Sequence, residues 1–241
     1  MTMVYDDLFA PPLELVRLYN RSVGGVHEDA TDDDGRAYGG LVRARKGKLV
    51  EDMTTDIVRL AWQRAGGSLE RLSFGDAKTY QVPIQTDYIA GLPAEIRDYI
   101  NSRQDKYHYR AQVDKHVFVD GKLVMGIECK SYTENAMLKR ILVDFRLLKS
   151  LHPHLICCLL QLESMLGGSY SDPLANPQLG SPSTHTLMSH FPEVDLNIIT
   201  LLAGERRVDR PIHQQEYFKE LTVPSLKHAI SRFSNLLASF V

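Results

Sequence analysis

The sequence is poor in cysteine, has no long apolar run and shows no excess of basic charge, and each shortage narrows its possible functions. Three cysteines, Cys129, Cys157 and Cys158, stand in 241 residues. Sequence neighbours rarely bridge each other and an odd count leaves one over, so no disulfide framework is expected. All three lie in apolar runs, where small buried thiols are common, and a reducing, cytoplasmic setting fits them. No CxxC spacing suggests zinc. The longest apolar run, residues 155–160, is of strand length, far below the roughly 18 residues that span a bilayer. Residues 1–20 have neither a basic leader nor a long apolar stretch, so no signal peptide is expected. Helicase and ATPase motifs, internal repeats and low-complexity tracts are also missing.

What is present suits a folded domain. The hydrophobic share of 44% and the charged share of 24% are those of an ordinary globular protein, whose core needs no covalent staple. Net charge is −2, which does not advertise nucleic-acid binding. The balance conceals local asymmetry, however. Residues 27–36 (HEDATDDDGR) are acidic, whereas 43–48 (RARKGK) and 204–211 (GERRVDRP) are basic. A site for divalent metal needs carboxylates, so a near-neutral total is compatible with a DNA enzyme.

The pattern predicts a short helix around residues 12–20, then a Gly- and Asp-rich loop to about Gly40. Leu49, Met53, Ile57, Leu60 and Ala61 recur at helical spacing, and Gly66-Gly67 stops that helix. LERLSF reads as a strand, TYQVPIQTDYI as extended, and PAEIRDYINSRQ as a helix with Pro93 in its first turn. Two β-rich runs flank Asp120-Gly121, a hairpin signal. A helix is expected over 133–151, capped by Thr133, with Met137, Ile141, Phe145 and Leu148 on its apolar face. LICCLLQLES reads as a buried strand, residues 169–185 as a long loop and 223–240 as a helix. The order predicts an α/β fold, with a mixed central sheet flanked by helices. It is divided as an N-terminal helix and acidic loop (1–40), a core (41–165) and an extension of the same domain (166–241).

The informative stretch runs from Asp114 to Lys130. Side chains at i and i+2 of a strand share a face, so Glu128 and Lys130 point the same way and Cys129 points the other. A strict two-residue turn at 120–121 sets Asp114 opposite Ile127, on the wrong face. A three-residue turn with Gly121 left-handed sets it opposite Gly126, on the face of Glu128, and carries a bulge of the kind that re-aims side chains near active sites. Gly126 would then leave open space beside the carboxylates. Two carboxylates hold Mg²⁺ through oxygen, and a neighbouring lysine can orient or help deprotonate an attacking water.

Asp114, thirteen residues, then Glu128-Cys129-Lys130 resembles the PD-(D/E)xK nuclease superfamily. The resemblance covers roughly residues 41–162, with Val113 where the family often has proline. It implies a restriction-endonuclease-like core with helical and loop extensions. It further implies Asp114 and Glu128 as ligands of Mg²⁺, Lys130 as a catalytic residue, and Glu51 of the first core helix either joining the metal shell or standing as a surface carboxylate. Gln112 and Arg140 could approach the phosphate. The implied function is a type II restriction enzyme acting on double-stranded DNA as a homodimer, without a membrane partner. Alternatives on the same core are a structure-selective repair or phage nuclease, and a DNA-binding protein that does not cleave.

The other charged residues divide between DNA contact and plain solvation. Arg43 and Lys46 suit phosphates. Arg206, Arg207 and Arg210 with Gln214 offer the side chains that read guanine and adenine in the major groove, and the 166–241 extension would serve recognition and dimer contacts. Asp120 is read as a turn residue, His152 and His154 as loop residues, and Arg140, Asp144 and Arg146 as a solvated helix face.

Overall fold

The computed structural model describes residues 10–24, 35–76, 79–210, 212 and 215–241, and among these side chains are described from residue 12 onward except over 24–46 and at 76 and 215. Its elements are α1 (Ala10–Gly24), α2 (Gly35–Arg64), β1 (Leu72–Asp76), β2 (Tyr80–Pro83), α3 (Thr86–Ala90), α4 (Ala94–Asn101), β3 (His108–Ala111), β4 (Lys115–Val119), β5 (Lys122–Thr133), α5 (Asn135–Leu151), β6 (Ile156–Ser164), α6 (Pro182–Ser189), β7 (Asn197–Thr200) and α7 (Val223–Leu237).

Among the described residues five strands form the central sheet in the order β1-β4-β5-β6-β7. The β1-β4 and β4-β5 pairs are antiparallel, and β5-β6 and β6-β7 are parallel. The sheet is therefore mixed, as expected. Helices cover both faces. Alternation sends Ile127, Cys129, Cys158 and Leu160 to one side, where they meet α1, α2 and α7 through Tyr19, Trp62 and Phe233. Cys157 and Leu159 go to the other side, against Leu138, Leu142 and Phe145 of α5. Each such large side chain, fully buried, contributes about 1.5–3 kcal/mol of transfer free energy. Strands β2 and β3 form a separate antiparallel pair, and Val82 and Ala111 join the α5 side.

Several boundaries differ from the sequence reading. Helix α2 begins at Gly35, before the expected end of the loop. Pro93 is the N-cap of α4 rather than part of its first turn. Thr133 completes β5 and is buried, so Glu134 takes the cap of α5. The buried stripe of α5 is Leu138, Ile141, Leu142, Phe145 and Leu148. Strand β7, only four residues of NIIT, was not anticipated, and it lies inside the segment read as an extension. That segment also supplies α7, where Thr222 caps the first turn by accepting from the Ser225 amide at 3.3 Å. The stretch 169–185, read as loop, contains the start of α6, capped by Ser181.

The hairpin register brings the site together, by a different route from the one expected. Val119 pairs with Lys122, leaving a two-residue loop in which Asp120 has φ 50° and Gly121 φ 74°. Positive φ at both positions is the type I′ pattern. The extra residue lies further along: Val117 pairs with Met125 and Phe118 with Leu123, so Val124 is bulged. Val124 and Met125 both bury on the α2 side. Lys115 is consequently opposite Ile127 and His116 opposite Gly126, which carries Asp114 alongside Glu128. The expected pairing of Asp114 with Gly126 is corrected, while the shared face is found. Gly126 does not leave open space beside the carboxylates. A Cβ there would lie 3.1 Å from Phe145 Cε1 and 3.2 Å from Val113 Cγ2, so glycine admits the α5 core against the strand.

Candidate active site

Asp114 sits just before β4, and Glu128 and Lys130 lie on β5. The Cys129 amide donates to Asp114 Oδ2 at 2.7 Å, and Lys130 Nζ donates to the same oxygen at 3.3 Å. Lys130 Nζ also lies 2.5 Å from Glu128 Oε1 and 3.3 Å from the Cys129 carbonyl oxygen. One cation, the ammonium, is thus held by two carboxylates and a backbone carbonyl.

These groups open onto a cleft of about 320 Å³ between the hairpin and α5, lined also by Tyr109, Gln112, Arg140 and Asp144. Burial holds the Glu128 carboxyl above the usual glutamate range; Lys130 opposes this, while Asp114 and Asp144 add to it. For Lys130, burial works to lower the pKa, but Glu128 and Asp114 outweigh it and hold the ammonium above the usual lysine range. Both groups are therefore held toward their protonated forms.

Asp144 is a site residue that the sequence reading assigned to a solvated face. Its side chain is only 15% exposed. Asp144 Oδ1 accepts from the Tyr109 hydroxyl at 3.2 Å, and Oδ2 lies 3.6 Å from Arg140 Nε. Helical spacing from Ile141 and Leu148 places it at the border of the apolar stripe, and that signal could have found it. Nothing in the sequence marked Tyr109, which reaches the cleft from β3. Gln112 lines the cleft and accepts from Thr79 Oγ1 at 3.1 Å. Arg146 turns away and pairs with Glu193 at 2.9 Å.

Glu51 is not brought to this cleft. It stands on α2, on the other side of the sheet, 3.8 Å from Lys48. Its charge still reaches Cys129, whose thiol is pushed up chiefly by burial and slightly by Asp114, Glu128 and Glu51 against a contact from Thr54. Asp120 is a turn residue paired with Arg71 at 2.8 Å. His152 packs edge-on to Tyr80 at 5.0 Å in the turn before β6.

Of the basic segment, Arg206 is fixed and half-buried. Its guanidinium lies 3.7 Å from the Tyr132 ring centroid, and its amide donates to the Ser164 carbonyl at 2.9 Å. Tyr132 is two residues beyond Lys130 on β5, so Arg206 borders the cleft end of the sheet. Arg207 and Arg210 are exposed. The side chains of Arg43 and Lys46, and Gln214 as a whole, lie outside the described residues. Among the described residues no three His, Cys, Asp or Glu side chains gather into a metal-holding group, and no helix is long and apolar enough to cross a membrane. The three cysteines are buried and free.

An acidic pair and a lysine on a hairpin, covered by helices on both sides, form an architecture suited to phosphodiester hydrolysis. Comparison with known proteins identifies the class. The chain is 50% identical over 230 residues to the type II restriction enzyme DdeI of Desulfomicrobium norvegicum, an alignment covering 93% of this chain and 95% of that one. The chain therefore belongs to the family of type II restriction enzymes, which are sequence-specific endonucleases. No family model matches it, and no solved structure does.

Proposed function

We propose that this chain cuts double-stranded DNA at a specific sequence through Asp114, Glu128 and Lys130, as a PD-(D/E)xK nuclease with Mg²⁺ as its cofactor. The observation carrying this reading is the seat around the Lys130 ammonium. Three oxygens, from Asp114, Glu128 and the Cys129 carbonyl, surround it at 2.5–3.3 Å. Hard oxygen donors of this kind, completed by water, suit a small divalent cation. Two carboxylates suffice because Mg²⁺ keeps several waters in its shell. When bound, Mg²⁺ supplies Lewis-acid activation of water and neutralises charge on the phosphodiester.

The protein's own groups have distinct parts. Asp114 and Glu128 hold the cation, and the Cys129 amide fixes the Asp114 carboxylate. Lys130, held as an ammonium, orients the attacking water. Arg140, 85% exposed at the mouth of the cleft, contacts a phosphate, and Gln112 approaches the same group. Glu51 contributes from the far side of the sheet through its charge. Arg206, Arg207, Arg210 and Gln214 contact DNA with Arg43 and Lys46, and the 166–241 segment recognises sequence and joins two copies. A homodimer cutting one strand per subunit suits a two-fold symmetric target.

The test is incubation of the purified chain with long unmethylated duplex DNA, with Mg²⁺ or with EDTA. Discrete fragments formed only with Mg²⁺ are expected, and none from Glu128→Ala. Cutting at the native rate by Glu128→Ala would refute the assignment of the site.

A further inference from the structure

The Lys130 ammonium occupies the place where a cation would be held, so it needs another acceptor when a cation arrives. The sheet contains one. Lys130 is the register partner of Gln161 on β6, and Gln161 is the partner of Thr200 on β7. The three form one rung, and partners across parallel strands point to the same face. Flanking residues identify that face: Leu159 and Ile198, two positions earlier on β6 and β7, both belong to the α5 side.

Gln161 is fully buried. Its Nε2 donates to Thr200 Oγ1 at 2.9 Å. Its Oε1 is buried and accepts no hydrogen bond among the described residues. A buried amide oxygen without a partner is costly and calls for an explanation. Thr200 on β7 holds the nitrogen arm of the amide, which leaves the oxygen arm unpartnered on the strand next to β5, where Lys130 is the register partner of Gln161.

From this rung we infer that Gln161 is a positioning residue, whose Oε1 receives the Lys130 ammonium when a divalent cation takes the oxygens of Asp114, Glu128 and Cys129. The inference rests on the cation reading above. Lys130 then remains beside the reacting phosphate instead of competing for the seat. The sequence showed only LLQLES, an apolar strand with one amide. The orphaned oxygen and the shared rung become visible in the folded sheet.

Binding of Mn²⁺ to the full chain without DNA tests this, with the free ion counted by electron paramagnetic resonance. Gln161→Met is expected to weaken Mn²⁺ binding by about 10–100-fold, the usual scale for a residue that supports a ligand set. In a Lys130→Met background, Met and Gln at 161 should bind Mn²⁺ within about twofold of each other. Thr200→Val, which releases the amide without altering Oε1, should weaken binding in the same direction and decides the matter if Gln161→Met does not fold. Undiminished Mn²⁺ affinity in Gln161→Met, or an equal loss in both backgrounds, overturns the inference. Glu128→Ala separates the two ideas. If it binds Mn²⁺ as the wild type does, the cation site itself is misplaced; if it does not bind while Gln161→Met does, only the role of Gln161 fails.

Discussion

The Cys129 amide donates to Asp114 Oδ2 across 2.7 Å, fastening a carboxylate that precedes one strand to the backbone of the next. Cys129 is itself held from behind, with its sulfur 3.2 Å from Thr54 Oγ1 on α2. The carboxylate is thus placed by the sheet and by the helix beneath it, and its rotamer is restricted before any ligand arrives. Preorganisation of this kind reduces what must be rearranged during reaction.

Asp114→Asn separates placement from charge. The Asn oxygen can still accept from the Cys129 amide, so the melting temperature should change little. Cleavage with Mg²⁺ should fall by at least about 10²-fold, the scale of losing one aligned electrostatic group. Cleavage rates and a thermal melt on the same preparation check both halves.

The acid limb of activity should belong to Glu128. Its carboxyl is held above the ordinary range, so acidification protonates it earlier than an exposed glutamate, and cation binding is lost as pH falls through that raised value. Asp144 is one of the charges that raise it. Asp144→Asn should therefore lower the Glu128 pKa and move the acid limb of Mn²⁺ binding to lower pH. A shift to higher pH in that variant would contradict the electrostatics described.

Gly126→Ala should destabilise the fold from the site's own strand. The added methyl meets Phe145 and Val113 at 3.1–3.2 Å, and overpacking of this degree costs about 1–3 kcal/mol. Val113 adjoins Asp114, so cleavage should fall as well. Urea denaturation alongside cleavage rates measures the two effects.

Asp120→Asn should leave cleavage unchanged. Asn tolerates the positive φ of that turn position, and the lost partner is an exposed Arg71, where ion pairs contribute little. A marked loss of Mg²⁺-dependent cutting would instead place Asp120 among the cation ligands.

The two neighbouring arginines should behave differently. Arg206 is fixed on Tyr132 near the site, whereas Arg207 is exposed. Once the target sequence is known, Arg206→Ala should reduce discrimination between it and single-base variants. Arg207→Ala should weaken binding to all of them alike and lower the salt dependence, as a phosphate contact does. Filter binding at several salt concentrations distinguishes the outcomes.

Much of the site could be read before folding because its logic is local. Alternation along β5 puts Glu128 and Lys130 on one face and Cys129 on the other, and counting residues across the hairpin requires one extra residue for Asp114 to join them. The position of that residue could not be read. An insertion anywhere between Asp114 and Glu128 gives the same parity, and LVM carries no mark that Val124 will bulge. Burial decides it, because Val124 and Met125 both find room against α2.

By itself the sequence determined the mixed α/β order, the hairpin at Asp120-Gly121 and the common face of the ExK pair, since each depends on periodicity or on one or two residues' backbone preferences. The tertiary structure alone decided what meets that face from a distance in the chain. It brought Asp144 and Tyr109 into the cleft, left Glu51 behind the sheet, filled the space at Gly126 with Phe145 and set Gln161 and Thr200 in a rung with Lys130. These relations cross strands and layers, so they follow from packing many side chains at once, and no local pattern encodes them.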